Sequence, residues 1–277
     1  MSLKLRIWQV DAFTNNLFEG NPAAVVEAPM GIHDTFLQQI ATENNLSETA
    51  FISRNENGNW DLRWFTPTTE VRICGHATLA AGHVVLSYLD PNIETVSFQT
   101  RLAGILTVTR TSPDCYSLTL PADNPRICNA EEHGRVEALL GLHICSCIVG
   151  MDDIVAILSN PEAVLALQPN HVALATFGFG DKPARGIAVT AHAGENRIVS
   201  RGFYPATGVD EDAVTGSLHA LLAPYWCPIL ETSTLYAKQG KARGGDLVCT
   251  WTGDDFVVLD GGAQTYLAGN ITVKLSR

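Results

Sequence analysis

Basic residues are scarce in this sequence. It contains 18 Lys and Arg against 29 Asp and Glu, a formal net charge of -11 at pH 7. Proteins that bind nucleic acid or anionic membranes rely on clusters of Lys and Arg, and the sequence has no such clusters. We therefore expect neither a nucleic acid nor a membrane as partner, and an anionic ligand would have to be held by local dipoles.

Long uninterrupted apolar runs are also missing. Lys4, Arg6 and Asp11 interrupt the N-terminal segment before it reaches the length of a signal sequence. The most apolar stretch, residues 219–230, contains two prolines and is too short to span a bilayer. These features predict a cytoplasmic protein.

The cysteines show no pattern typical of a disulfide framework or a zinc site. There are seven of them, none at Cys-x-x-Cys spacing, and Cys145 and Cys147 are too close together for the usual zinc ligand pair. We therefore expect reduced thiols, without disulfides and without a structural metal.

An internal repeat is the most informative pattern that the sequence does contain. Five residues recur at the same five offsets after 138 positions, half the length of the 277-residue chain. A self-match at half the length is typical of a duplicated domain. The matching residues are Arg63, Phe65, Pro67, Thr69 and Val71 in the first copy and Arg201, Phe203, Pro205, Thr207 and Val209 in the second.

Each copy of the repeat is followed by the start of an apolar helix. The helix starts lie in Cys74-Gly75-His76-Ala77-Thr78 and in Ala213-Val214-Thr215-Gly216-Ser217. A helix N-terminus offers free N–H groups and a positive dipole end, so it can bind an anion such as a carboxylate. An ordinary capped helix is the alternative at either end. The predicted substrate-binding residues are Gly75, His76, Ala77, Thr215, Gly216 and Ser217.

The order of the predicted elements favours an α+β fold. Strand-like segments surround one central apolar helix in each half, residues 76–89 in the first and 215–226 in the second. We predict two pseudo-symmetric domains, each a curved, mostly antiparallel sheet wrapped around its helix. The first comprises residues 1–121 plus the C-terminal strand, 265–277, and the second comprises residues 122–264. The apolar residues 172–177 predict one of the strands of the second domain.

Three ionisable residues are candidates for acid/base chemistry. Glu48 lies between the first helix and the next strand; if it is desolvated, its pKa would rise and suit it to move a proton on and off carbon. A solvated turn carboxylate is the alternative. His76 opens the first central helix and Asp212 precedes the second, where each could instead play a structural role.

These motifs together resemble one known family. Gln9-Val-Asp-Ala-Phe-Thr14, Gly20-Asn-Pro-Ala23, Ser47-Glu-Thr-Ala-Phe51, Phe65-Thr-Pro67, Cys74-Gly-His-Ala-Thr78 and Asp212-Ala-Val-Thr-Gly-Ser217 occur in the order found in PhzF-like (phenazine biosynthesis-like) proteins. This family belongs to the diaminopimelate epimerase structural superfamily. The resemblance implies an active site without a cofactor or metal, in a cleft between two domains, and a homodimer.

The resemblance also implies roles for individual residues. The acid/base glutamate of the family corresponds to Glu48, its cleft histidine to His76, and its aspartate and serine to Asp212 and Ser217. Two departures from the family pattern put the identity of the substrate in doubt. Ala213 replaces the usual proline, and Gly245 stands where an arginine is common.

Cysteine usage separates two branches of the superfamily. Its amino-acid epimerases and racemases use one cysteine at each helix start, whereas here Cys74 is matched in the repeat by Ala213. We therefore predict a cofactor-independent isomerase in which Glu48 moves a proton between carbons of a small carboxylic acid. Two alternatives stay open: an epimerase or racemase assisted by Cys74, and a non-catalytic protein that binds small acids.

Overall fold

The computed structural model describes residues 2–180 and 183–274, and the last three residues of the C-terminal segment predicted above lie outside this range. The chain forms two compact units, Met1–Leu120 with Asp260–Arg277, and Pro121–Leu259. No helix in the described residues is long and apolar enough to cross a membrane.

The first unit consists of strands around one buried helix. Its helices are α1 (Asp34–Asn44) and α2 (Gly75–Val84), and the latter continues as a π-helical turn, Val85–Leu89. Its strands are β1 (Ser2–Ala12), β2 (Asn21–Glu27), β3 (Glu48–Arg54), β4 (Trp60–Phe65), β5 (Glu70–Val71), β6 (Thr95–Thr100), β7 (Ile105–Ser112) and β8 (Cys115–Pro121).

Most strand pairs of this unit are antiparallel. The antiparallel pairs are β1–β2, β3–β4, β4–β5, β6–β7 and β7–β8. Only β2–β3 and β4–β6 run parallel among the pairings of these eight strands. A sheet that is mostly antiparallel, with helices packed against it, is an α+β arrangement.

Helix α2 is buried along its whole length. Every residue from Gly75 to Val84 is buried, and the helix contacts β1, β2, β3 and β7. Small residues permit this close packing: a Cβ added at Gly82 would overlap the side chain of Val108 on β7. A helix that is apolar on all sides belongs in the centre of a domain, as the sequence predicts.

The second unit repeats these elements. Its helices are α3 (Ala130–Leu140), α4 (Pro161–Ala166), α5 (His171–Leu174) and the central α6 (Gly216–Ile229). Its strands are β9 (Arg126–Ile127), β10 (Ser146–Val149), β11 (Asp153–Ile157), β12 (Gly186–His192), β13 (Arg197–Tyr204), β14 (Val209–Asp212), β15 (Thr234–Gly240), β16 (Gly244–Thr250) and the start of β17 (Phe256–Lys274).

The two units have the same strand topology. The parallel pairs β2–β3 and β4–β6 of the first unit correspond to β11–β12 and β13–β15 of the second. The antiparallel pairs β3–β4 and β6–β7 correspond to β12–β13 and β15–β16. The predicted fold class is therefore confirmed: each unit is a mostly antiparallel sheet around a central helix, and the two are pseudo-symmetric in topology.

The turn after the repeated strand is three residues longer in the second unit. Trp64 pairs with Val71, whereas Gly202, 138 positions after Trp64, pairs with Asp212. A short 3-10 helix, Pro205–Thr207, and the left-handed Gly208 occupy the longer turn. The structural equivalent of Val71 is therefore Asp212, and the sequence match between Val71 and Val209 does not reflect equivalent positions.

This longer turn also shifts the correspondence of the helix starts. Cys74 is the N-cap residue of α2, and Thr215 is the N-cap residue of α6. The prediction that Ala213 is the counterpart of Cys74 is therefore wrong, and the counterpart is Thr215. A buried thiol in the first unit is matched by a hydroxyl in the second.

Two expectations about the second unit fail. Cys128 and Cys147 form a disulfide, so the expectation of reduced thiols throughout is wrong. Cys128 and Cys147 are 19 residues apart in sequence, but the pairing of β9 with β10 places the Cα atoms of these two cysteines 5.4 Å apart. The strand predicted over residues 172–177 is also wrong: the Asn170 side chain accepts a hydrogen bond from the N–H of Ala173 and starts helix α5 there.

Candidate functional site

A carboxylate and an imidazole meet at the start of the first central helix. Glu48 is the first residue of β3, and His76 lies in the first turn of α2. Glu48 Oε2 lies 3.2 Å from His76 Nε2, with side-chain exposures of 16% for Glu48 and 3% for His76. Glu48 is thus a largely buried side chain beside the start of α2 rather than a solvated turn carboxylate.

Two neighbouring polar side chains fix the orientation of the His76 ring. The amide of Asn21 donates to His76 Nδ1 over 3.0 Å, and its carbonyl accepts from the Ser47 hydroxyl over 3.1 Å. Because Nδ1 accepts in this arrangement, the neutral ring carries its proton on Nε2, the nitrogen that faces Glu48 Oε2 and the Ser47 hydroxyl. Asn21 and Ser47 lie in the family motifs, but sequence analysis gave them no role.

Burial keeps His76 neutral. Desolvation lowers its pKa from 6.5 to about 3, because a charged imidazolium is poorly solvated in the protein interior. At neutral pH, His76 is therefore an uncharged imidazole beside the Glu48 side chain, and it adds no positive charge to the site.

Cys74 lies beside the same histidine. Its thiol is 3.5 Å from His76 Nδ1 and the residue is buried. Glu48, Cys74 and His76 each offer a possible metal-ligand atom, all within 4.8 Å of one another.

The start of α2 has no side-chain cap. The Cys74 side chain makes no capping hydrogen bond. Among the described residues, none accepts a hydrogen bond from the backbone N–H of Gly75, His76 or Ala77. Free N–H groups at a buried helix end are costly. The alternative of an ordinary capped helix does not apply here.

Helix α6 shows the same feature, in contrast to the other helices. Thr215 makes no capping hydrogen bond, because its hydroxyl donates to Asp212 Oδ2 over 2.5 Å. Among the described α-helices, the four that are not central all begin with a side chain that accepts from a first-turn N–H. The capping residues are His33 for α1, Asn129 for α3, Asn160 for α4 and Asn170 for α5.

Gln239 organises the start of α6. This fully buried residue accepts from the N–H of Thr215 over 2.9 Å and donates to the carbonyl oxygen of Asp212 over 2.9 Å. The N–H of Thr215 is therefore already bonded, and the first-turn donors left for a ligand are the N–H groups of Gly216 and Ser217. Sequence analysis did not identify Gln239.

The structure thus brings the predicted residues together in two groups, one in each unit. Glu48 and His76 lie at the α2 start with Gly75 and Ala77. Asp212, Thr215, Gly216 and Ser217 lie at the α6 start. Both groups combine an uncapped, buried helix end with an adjacent carboxylate. The helix end can bind a small anion, and the carboxylate can move a proton nearby.

The repeated α+β fold, with a candidate site at each central helix start, is also the fold of the known proteins that this chain is similar to. The family model for phenazine biosynthesis-like protein matches residues 10–269. The chain belongs to this family. A Pseudomonas aeruginosa protein described as an uncharacterized isomerase is 42% identical over 97% of this chain and 99% of its own length.

Solved structures give the same result. A PhzF-family protein of Enterococcus faecalis aligns with a TM-score of 0.85 and 36% identity, over 97% of this chain and 99% of its own. A hydroxyproline epimerase of Agrobacterium vitis aligns with a TM-score of 0.61 and 10% identity, over 97% and 91% of the two chains, and shows a shared fold. The family match and the relatives described as isomerases support an isomerase.

Proposed function

We propose that the protein is a cofactor-independent isomerase that moves a proton between two carbon atoms of a small carboxylic acid. Glu48 takes the proton from one carbon and returns it to the other. His76 and Asp212 are the further catalytic residues of this proposal, and the N–H groups at the starts of α2 and α6 are the donors to a substrate anion. The proposal rests on one observation: only the two central helices lack a side-chain cap among the described α-helices, and each begins beside a carboxylate.

The first unit carries the proton transfer in this proposal. Glu48 Oε2 lies 3.2 Å from Nε2 of His76, whose low pKa keeps the imidazole neutral, so this neighbour does not neutralise the carboxylate. A positioned acid/base residue contributes about 100- to 10,000-fold to a rate. The substrate anion is stabilised by the helix ends, each of which contributes roughly 0.3 to 2 kcal/mol.

A screen in heavy water tests this function. Small carboxylic acids with an acidic C–H beside a double bond or carbonyl group are incubated with the protein in D2O, and deuterium uptake at carbon is followed by mass spectrometry. We expect enzyme-dependent uptake with at least one acid, and Glu48→Gln should lower it by about 100-fold or more. Uptake that is unchanged in Glu48→Gln would refute the role of Glu48.

The same screen separates the proposal from a cysteine-assisted epimerase. Cys74 lies 3.5 Å from His76, which is consistent with a reactive thiol, but its counterpart Thr215 cannot supply the second thiol that such an epimerase uses. Cys74→Ser should therefore retain most of the deuterium uptake. Loss of uptake in Cys74→Ser, with uptake retained in Glu48→Gln, would favour the epimerase instead.

We further propose a homodimer, as the family resemblance implies, and a cytoplasmic location, as the sequence predicts. The dimer is tested by light scattering coupled to size-exclusion chromatography, where a mass near twice 29.9 kDa is expected. A mass that stays at that of one chain across the accessible concentration range would contradict it.

A further inference from the structure

The position equivalent to Glu48 in the second unit is a glycine. Glu48 begins β3 and pairs with Ala23 of the parallel strand β2. In the second unit, Gly186 begins β12 and pairs with Asp153 of the parallel strand β11. A Cβ at Gly186 would overlap the ring of Tyr204. The second unit therefore has neither a base at this position nor room for one.

The residue before this glycine carries a guanidinium. Arg185 corresponds to Ser47, because each directly precedes the pair of equivalent residues Gly186 and Glu48. Ser217 corresponds to His76, because each is the second residue of its central helix. Ser47 lies 3.4 Å from His76 Nε2, and Arg185 Nη2 donates to Ser217 Oγ over 3.0 Å. The same two positions are thus in contact in both units, with different chemistry.

We infer that Arg185 and Ser217 form a carboxylate-binding pair at the start of α6. This inference deepens the proposed function and rests on it for the nature of the ligand.

Hydrogen-bond chemistry makes the pair specific for an acceptor. A guanidinium can only donate, so Ser217 Oγ accepts from Arg185 and its own hydrogen must point to another acceptor. Arg185 Nη1 has no hydrogen-bond partner among the residues that the structure describes, and 28% of the side chain is exposed. A carboxylate, with two acceptor oxygens, matches two such donors.

The guanidinium is held rigidly in place. Its Nε donates to Asp153 Oδ1 over 2.9 Å, its Nη2 also donates to Asp153 Oδ2, and its carbon lies 5.3 Å from the centre of the Tyr204 ring. Asp153 is almost fully buried. Burial opposes the charge of Arg185, but Asp153 outweighs this effect and raises the pKa of Arg185. Arg185 is therefore charged at every accessible pH.

Binding of benzoate and of its neutral isostere benzamide tests the inference directly, by isothermal titration calorimetry. We expect the wild-type protein to bind benzoate at least about tenfold more tightly than benzamide, and Arg185→Gln to weaken benzoate binding by about 10- to 150-fold with little effect on benzamide. Ser217→Ala should weaken benzoate binding by a smaller factor. Equal affinities of the wild-type protein for the two probes would overturn the inference.

Two further variants separate loss of the carboxylate-binding pair from general effects on the protein. Arg185→Gln alone leaves Asp153 buried without its partner, so the double variant Asp153→Asn/Arg185→Gln, checked for folding by near-UV circular dichroism, removes both charges. It should show the same loss of benzoate binding. Arg197→Gln is the matched control, because Arg197 also lies over a tyrosine ring, at 5.2 Å from that of Tyr236, and it should bind benzoate as the wild type does.

The outcomes for this inference and for the proposed function are distinguishable. If no acid takes up deuterium but benzoate binding depends on Arg185, the proposed function fails and the carboxylate-binding pair stands. If a folded double variant binds benzoate and takes up deuterium into the acid substrate at wild-type levels, the pair is wrong while the isomerase stands.

Discussion

Acidification should destabilise the protein steeply through three buried histidines. Burial lowers the pKa of His76 to about 3, and those of His83 and His219 to about 4, from 6.5. Because the folded-state pKa values lie below the unfolded value, the unfolded chain binds more protons between pH 6.5 and pH 4. The stability that the neutral histidines contribute is therefore fully present above pH 6.5 and is lost as the pH falls through this window.

The size of the effect follows from proton linkage. Near pH 5, unfolding takes up almost one proton for each of the three histidines, so the free energy of unfolding should change by about 4 kcal/mol per pH unit. Between pH 6.5 and pH 5 the total loss is about 5 kcal/mol. Domains are stable by only about 5 to 15 kcal/mol, so a loss of this size is a large fraction of the total.

Urea unfolding followed by tryptophan fluorescence at pH 7, 6, 5.5 and 5 measures this slope. His83→Gln retains polar atoms for its partners Tyr116 and Thr265 but cannot titrate, so the slope at pH 5 should fall by about one third. The exposed His192 supplies the control variant, His192→Gln, whose slope should match that of the wild type. A wild-type slope below about 1 kcal/mol per pH unit would refute the reasoning.

Three other predictions concern the second unit. Replacing Cys128 and Cys147 by serine should lower the free energy of unfolding by about 2 to 4 kcal/mol, measured in urea against the oxidised wild type, and no change would contradict a stabilising disulfide. Gly186→Ala should lower the melting temperature because its Cβ overlaps a buried tyrosine ring, whereas Gly134→Ala, in open space on α3, should raise it; calorimetry compares the two. Gln239→Leu should cost about 1 to 3 kcal/mol by leaving the N–H of Thr215, the N-cap residue of α6, unbonded, and an unchanged urea midpoint would rule this out.

Hydrophobic patterning was sufficient to predict the fold class and both central helices. Helix α2 is apolar on all sides, and Gly216–Ile229 is nearly so, which identified them as buried. The internal repeat located the equivalent strands β4 and β13. Both signals are local or periodic, and such signals can be recognised in a single sequence.

Features that depend on tertiary placement could not be predicted in the same way. The three extra residues in the turn before Asp212 have no signal of their own, so the ungapped repeat matched Val209 with Val71. The contact of Arg185 with Ser217 joins residues 32 positions apart through two separate elements. The Cys128–Cys147 disulfide likewise depends on strand pairing, and no spacing rule indicates it.

The long strand β17 has a consequence for synthesis on the ribosome. Residues 263–274 pair with β1, and Lys274 lies opposite Ser2. Strand β1 therefore finds this neighbour only after the roughly 250 residues between the two strands have been synthesised, which takes about 10 to 50 s at typical elongation rates. For that time one side of β1 is an unfilled edge open to the strands of other nascent chains.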